Sequence, residues 1–133
     1  KKLLNNIIKM DKIFSELYKN LQVETYVNDN PLKKFLFQSK QSILVLFYIA
    51  SQKNQKSTLE DICYNISSKV ISRSTIQNLL KEGVQLNFLE KEVNEKDKRE
   101  KFYKYTNEAK KITQEWFEEQ KKVFLNLNDL NFK

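Results

Sequence analysis

A mainly α domain carrying one small β-hairpin is what this sequence predicts, and three patterns predict it. Long segments at either end space their apolar residues three and four apart, the period of an amphipathic helix. Two shorter segments near the middle, joined by a brief polar turn, are each opened by helix-capping residues. Between Phe88 and Thr106, aromatic or aliphatic residues alternate with charged ones in two runs, Phe88 to Val93 and Phe102 to Thr106. They flank the charged segment Asn94 to Lys101, as two half-buried strands flank a polar tip.

Size and composition fit one domain, or a domain that completes its core against a second copy. Apolar residues make up 40% of the 133, with nine Phe, six Tyr and one Trp, enough to bury a core. Lys and Arg exceed Asp and Glu by 24 to 17, a net charge of +7 that favours polyanionic partners through phosphate neutralisation and steering. There is no His, one Cys and one Gly. That removes His-based acid/base chemistry, a His/Cys zinc cluster, a disulfide within the chain and a glycine-rich phosphate loop, so no metal, cofactor or catalytic residue is expected. A carboxylate-based hydrolase or transferase stands only as a third reading, without any spacing to support it. No apolar run approaches a membrane span, and KKLLNNIIKM is too interrupted for a signal-peptide core, so a cytoplasmic, nucleoid-associated protein without a membrane partner is expected. The numbering opens on Lys1 rather than Met, and further residues are expected ahead of it.

From Leu3 to Leu21 the residues Leu3, Ile7, Met10, Phe14, Leu17 and Leu21 form a heptad stripe on one long helix. A stripe of that length suits packing against another subunit, although packing within one chain is the simpler alternative. Asn28 to Pro31 then ends the helix. A second helix is expected from Ser39, as N-cap, to about Lys53. Ile43 to Ala50 make it apolar almost all round, which places it at the centre of the fold. The last helix runs from about Asn107 to Asn126, with Ala109, Ile112, Trp116, Val123 and Leu127 on one stripe and Phe117 and Phe124 beside it. The expected dimerisation residues are therefore Leu3, Ile7, Met10, Phe14, Leu17, Ile112, Trp116, Val123 and Phe124. Residues 1–27 and 107–133 form the dimerisation helices, and 39–106 a lobe between them.

Inside that lobe Ser57 and Glu60 stand at capping-box spacing before a helix of about Thr58 to Ile66, with Leu59, Ile62, Cys63 and Ile66 on one face. Cys63 thus reads as a buried structural thiol rather than a redox sensor. Ser72 caps a further helix, Arg73 to about Val84, whose inner stripe is Ile76, Leu79, Leu80 and Gly83. Two short helices and a short turn match a helix-turn-helix, in which the second helix enters the major groove of DNA. Its outward residues Arg73, Ser74, Thr75, Gln77, Asn78 and Lys81 supply a guanidinium, hydroxyls and amides, which bond base edges and phosphates. An ordinary solvated face offers the same groups, but no acidic residue occurs from Ser67 to Lys81, which suits a surface that faces phosphates. The hairpin tip adds Lys96, Asp97, Lys98, Arg99 and Lys101 among further acids, and Asp97 is placed to orient Arg99 across it. Either residue also has a plain role, as a turn former and a solubilising charge.

With a helix-turn-helix followed by a basic hairpin, the sequence resembles the multiple-antibiotic-resistance regulators (MarR), including their staphylococcal accessory-regulator relatives. The family pattern is Asp, any residue, Arg, then a strand ending in a large residue, Thr, and a small residue three positions on. Asp97, Arg99, Tyr105, Thr106 and Ala109 reproduce that spacing, with Tyr where Leu is usual and Ala where Gly is usual. Upstream, STIQNLLKEGVQLNFLEK is similar to the family's recognition helix and first wing strand. The resemblance covers about Ser39 to Lys111 by motif and the whole chain by helix order. It implies a winged helix-turn-helix homodimer with intertwined terminal helices. Its recognition helices enter successive major grooves of a pseudo-palindromic double-stranded DNA site, and Arg99 reaches a minor groove with Asp97 as buttress. Many members respond to a small-molecule effector, for which no residue here names a ligand. The leading expectation is a sequence-specific transcription regulator. The alternative is a winged-helix protein-interaction or architectural module without base readout, favoured by the mixed charge of the wing.

Overall fold

The computed structural model describes the backbone of residues 2–26 and 30–128 and the side chains of residues 10–23 and 30–124. Among these, helix α1 spans Lys2–Tyr26, α2 Pro31–Leu36, α3 Lys40–Ser51, α4 Leu59–Asn65, α5 Arg73–Gln85 and α6 Asn107–Asn128. The strands are β1 Lys56–Thr58, β2 Leu89–Val93 and β3 Lys101–Tyr105. The chain divides into two compact units, one of residues 30–112 and one of residues 1–29 with 113–133.

The first unit is a winged helix. Two of its elements differ from expectation. Asn30 does not simply end a helix: its side chain accepts hydrogen bonds from the Leu32 and Lys33 amides and opens α2, with Pro31 in the first turn, where a missing N–H costs nothing. Six residues are too few to show a helical period, which is why α2 is silent in the sequence. The second difference is β1. Ser57 and Glu60 do not form a capping box, because Ser57 is held extended opposite Tyr103 in an antiparallel pair. The cap falls to Thr58, whose hydroxyl accepts the Asp61 amide at 3.1 Å. The hairpin strands therefore belong to a three-stranded sheet in the order β1-β3-β2.

Helix α3 lies at the centre of this unit. Its cap is Ser39, as the sequence predicts, accepting the Ser42 amide at 3.0 Å. Val45, Leu46 and Ile49 are completely buried, whereas Leu44 keeps 39% of its surface exposed, so the helix is not covered all round. Around it pack Leu32, Phe35 and Leu36 of α2, Ile62 of α4, Ile76, Leu79 and Leu80 of α5, and Phe88, Leu89 and Tyr105 of the sheet. Each fully buried aliphatic or aromatic side chain contributes roughly 1.5–3 kcal/mol. The ring of Phe88 sits 5.3 Å from Phe35 and 5.1 Å from Tyr105, tying α2 to the wing. Burial drives the Tyr105 hydroxyl pKa far above the ordinary tyrosine range, and the neutral hydroxyl donates to the Leu46 carbonyl at 2.6 Å. A polar tip in the core is thereby satisfied.

The exit from α5 is just as specific. Asn87 adopts φ 63°, the Phe88 amide donates to the Gly83 carbonyl at 2.9 Å, and the Asn87 amide donates to Val84 at 3.2 Å, a Schellman closure with Asn in the usual glycine position. Thr106 then bridges the lobe to α6. Its hydroxyl donates to the Asn87 carbonyl at 2.8 Å and accepts the Ala109 amide at 3.1 Å, so it caps the helix. Ala109 is wholly buried. The Thr and small residue of the wing motif thus have physical roles, a cap and a tight packing position.

The second unit contains α1 and the greater part of α6. Met10, Phe14, Tyr18 and Leu21 on α1 are 58%, 60%, 61% and 66% exposed, and Phe117 and Phe124 on α6 are 58% and 53% exposed. Leu17 and Trp116 are half-buried and Val123 is buried. Ile112, expected on the same seam, is instead packed in the core of the winged-helix unit. Leu3, Ile7 and Leu127 lie outside the residues whose side chains are described.

Candidate nucleic-acid interface

The rotation of α5 follows from its buried stripe. Ile76, Leu79, Leu80 and Gly83 face the core. Ser74, Gln77, Asn78 and Lys81, two positions earlier in each case, then lie about 200° round the helix, and all four are exposed. Ser72 fixes the start by accepting the Thr75 amide at 3.2 Å. The Thr75 hydroxyl lies 2.8 Å from that of Ser72 and is engaged in the cap, so of the outward residues it is the least available. Gly83 is a close-packed position: a Cβ there would meet Leu89 Cδ1 at 2.8 Å and Phe35 Cζ at 3.1 Å.

Arg73, at the first position of α5, does not project freely. Its Nη1 donates to Glu60 Oε2 at 3.3 Å and its Nη2 to Glu60 Oε1, an end-on bidentate pair between the two helices of the motif. The hydrogen bond from Arg73 holds the Glu60 carboxyl below its usual range. Reciprocally, Glu60 raises the guanidinium pKa, with a smaller contribution from the Cys63 thiol. Cys63 itself is half-buried and packs against the core. The sequence marks Glu60 only as a capping candidate. The segment from Ser67 to Lys81 is free of acids, yet the turn between α4 and α5 brings one against its arginine. Nothing in a separation of 13 residues announces that contact.

At the wing tip, Asp97 grips Arg99 three times. Arg99 Nε donates to Oδ1 at 3.1 Å, Nη2 to Oδ2 at 3.2 Å, and the Arg99 amide to Oδ1 at 3.1 Å. The Asp97 carbonyl also accepts the Glu100 amide at 3.0 Å, closing a β-turn. The Arg99 side chain remains 90% exposed, so it is oriented without being covered. Its side-chain and amide hydrogen bonds hold the Asp97 carboxyl below the usual aspartate range. Lys96, Lys98 and Lys101 are exposed around it.

One face of the sheet carries a charge network. Lys56 Nζ lies 2.6 Å from Glu92 Oε2 and 4.6 Å from the centre of the Phe102 ring, and Lys104 approaches Glu92 at 4.0 Å. Because β3 lies between β1 and β2, Lys56 and Glu92 meet across it, bracing the wing from both edges. Toward α4, Thr58, Leu59, Glu60, Arg99, Glu100, Lys101 and Tyr103 line a cleft of about 230 Å³. Glu60 therefore shares one cleft with the wing arginine while bonded to the arginine of α5. Among the described residues no cluster of metal-ligating side chains occurs, and no helix is long and apolar enough to cross a membrane.

No protein-family model and no curated protein matches the chain. Among solved structures it is similar to reduced AbfR bound to DNA, with 18% identity, a TM-score of 0.50, and 98% of this chain and 96% of that chain covered. It is also similar to overoxidized AbfR bound to DNA, with 18% identity, a TM-score of 0.47 and the same coverage. A third similar structure is AbsC, a MarR family transcriptional regulator from Streptomyces coelicolor, with 16% identity, a TM-score of 0.47, and 86% and 82% covered. At such identities the likeness to reduced AbfR is one of fold.

Proposed function

We propose that this chain is a MarR-type transcription regulator that binds double-stranded DNA as a homodimer. On a pseudo-palindromic site, each α5 enters a major groove and each Arg99 an adjacent minor groove. The observation that carries the reading is the wing tip, an arginine held in three hydrogen bonds by Asp97 yet 90% exposed. An isolated solubilising arginine needs no such buttress, whereas an arginine entering a narrow, electronegative minor groove gains from being pre-oriented. The exposed stripe of Ser74, Gln77, Asn78 and Lys81 supports base and phosphate contact. Met10, Phe14 and Tyr18, spaced four residues apart on one helix, are each more than half exposed, which supports pairing with a second copy. The fold neighbour with a TM-score of 0.50 was solved bound to DNA. In this reading residues 39–106 are the DNA-binding lobe, 1–27 and 107–133 supply the dimer helices, and the protein works in the cytoplasm.

Selection from a random duplex pool tests the proposal. Enrichment of a palindrome with half-sites about one helical turn apart is the expected result. Recovery of no preferred sequence points instead to a winged-helix protein-interaction module.

A further inference from the structure

The pairing of Glu60 with Arg73 has a consequence for how α5 selects its site. Arg73 is at the end of the recognition helix that approaches base edges first, where a free guanidinium attracts any phosphate. Glu60 occupies the terminal edge of that guanidinium, both Nη groups donating to its two carboxylate oxygens. An arginine engaging guanine O6 and N7 end-on uses the same edge. Both partners are about half-exposed, with side-chain exposures of 51% for Arg73 and 55% for Glu60, so solvent and DNA reach the pair and it can open. Glu60 also lines the cleft that Arg99 lines, so the carboxylate bonded to Arg73 shares a cleft with the wing arginine.

We infer that Glu60 is a specificity-determining residue: a carboxylate latch that neutralises Arg73 on indiscriminate DNA and releases it only to a base edge offering two acceptors. Phosphate oxygens on random sequence compete with a carboxylate already in bidentate geometry and gain little by displacing it. A guanine at the correct position presents two acceptors in the groove, where the rest of the interface holds α5 in register. Arg73 then adds to the difference between right and wrong sites more than to overall affinity. The inference rests on the DNA-binding reading above.

The test compares wild type, Glu60→Gln, Arg73→Ala and the double variant on a mixed-sequence duplex and on the duplex enriched by selection, across a salt series. Glu60→Gln is expected to bind mixed sequence about three- to tenfold more tightly at low salt, with a salt slope steeper by about one ion. Binding to the enriched site rises less, so the specificity ratio falls. In the Arg73→Ala background the Gln substitution is expected to have no effect. Glu60→Ala repeats the experiment with a second good helix former, and circular dichroism checks that α4 is retained.

Three results overturn the latch: unchanged mixed-sequence binding, a loss confined to the enriched site, or a gain that persists without Arg73. The second marks Glu60 as a buttress, and the third marks it as a carboxylate that merely repels phosphates. Wild-type protein that binds neither duplex overturns the DNA-binding reading and the latch with it. Wild type that binds while Glu60→Gln behaves identically overturns the latch alone.

Discussion

Asp97 and Arg99 form a closed unit at the tip of the wing, with the carboxylate accepting both the guanidinium and the backbone amide of the arginine two residues on. An exposed ion pair contributes little to stability, so the pair serves orientation more than folding. Arg99→Ala is expected to weaken duplex binding by about 1–3 kcal/mol while leaving thermal unfolding nearly unchanged. Asp97→Ala, which leaves the arginine present but unaimed, is expected to cost less. Fluorescence anisotropy beside thermal denaturation checks both, and equal affinity for Arg99→Ala and wild type removes the wing from the mechanism.

The pH response of the tip follows from the direction of the Asp97 shift. Its carboxyl is held below the usual range by hydrogen bonds from Arg99, so its contribution is fully present above the unfolded value of about 3.9 and is lost as pH falls through the lower folded value. The chain has no His, the side chain whose ordinary pKa lies nearest neutrality. Duplex affinity should therefore vary little between about pH 5.5 and 7.5. The carboxyl resonance of Asp97, followed by NMR, should titrate at a lower pH in the folded protein than in an unfolded peptide containing the same residues. An affinity that changes tenfold across the near-neutral range contradicts this account.

Gly83 tests the packing of α5 against the wing. A methyl there meets Leu89 and Phe35, both at most 2% exposed and therefore unable to swing into solvent. Overpacking costs about 1–3 kcal/mol, offset by roughly 1 kcal/mol from the better helix propensity of alanine. Gly83→Ala should accordingly lose about 1 kcal/mol in urea denaturation, with an unchanged m-value. A stabilised variant would show that the α2, α5 and β2 junction has slack.

Oligomeric state follows from the exposed apolar residues on α1 and α6. Phe14 is 60% exposed on α1, and Phe124 is 53% exposed on α6. Phe14→Glu places a charge on the proposed interface, and should shift sedimentation from dimer toward monomer and weaken DNA binding with it. Wild-type protein that sediments as a monomer at micromolar concentration contradicts the homodimer outright.

Periodicity and capping determine a large part of this protein before any fold is known. The caps Ser39 and Ser72, the buried stripe of α5, the two wing strands and the Asp97 to Arg99 spacing are all local features, set by residues within a few positions of one another. The sequence also dictates that α1 carries an apolar stripe. What it leaves open are relationships between segments distant along the chain. Strand β1 exists because Ser57 finds Tyr103, and it displaces the helix cap from Ser57 to Thr58. Ile112 goes to the winged-helix core rather than to the seam, although its spacing along α6 fits either. The Tyr105 hydroxyl can be buried because a carbonyl of α3 lies opposite it. Only the tertiary structure places Glu60 on Arg73, since the angle between two helices, and not the order of residues within either, decides which charges meet.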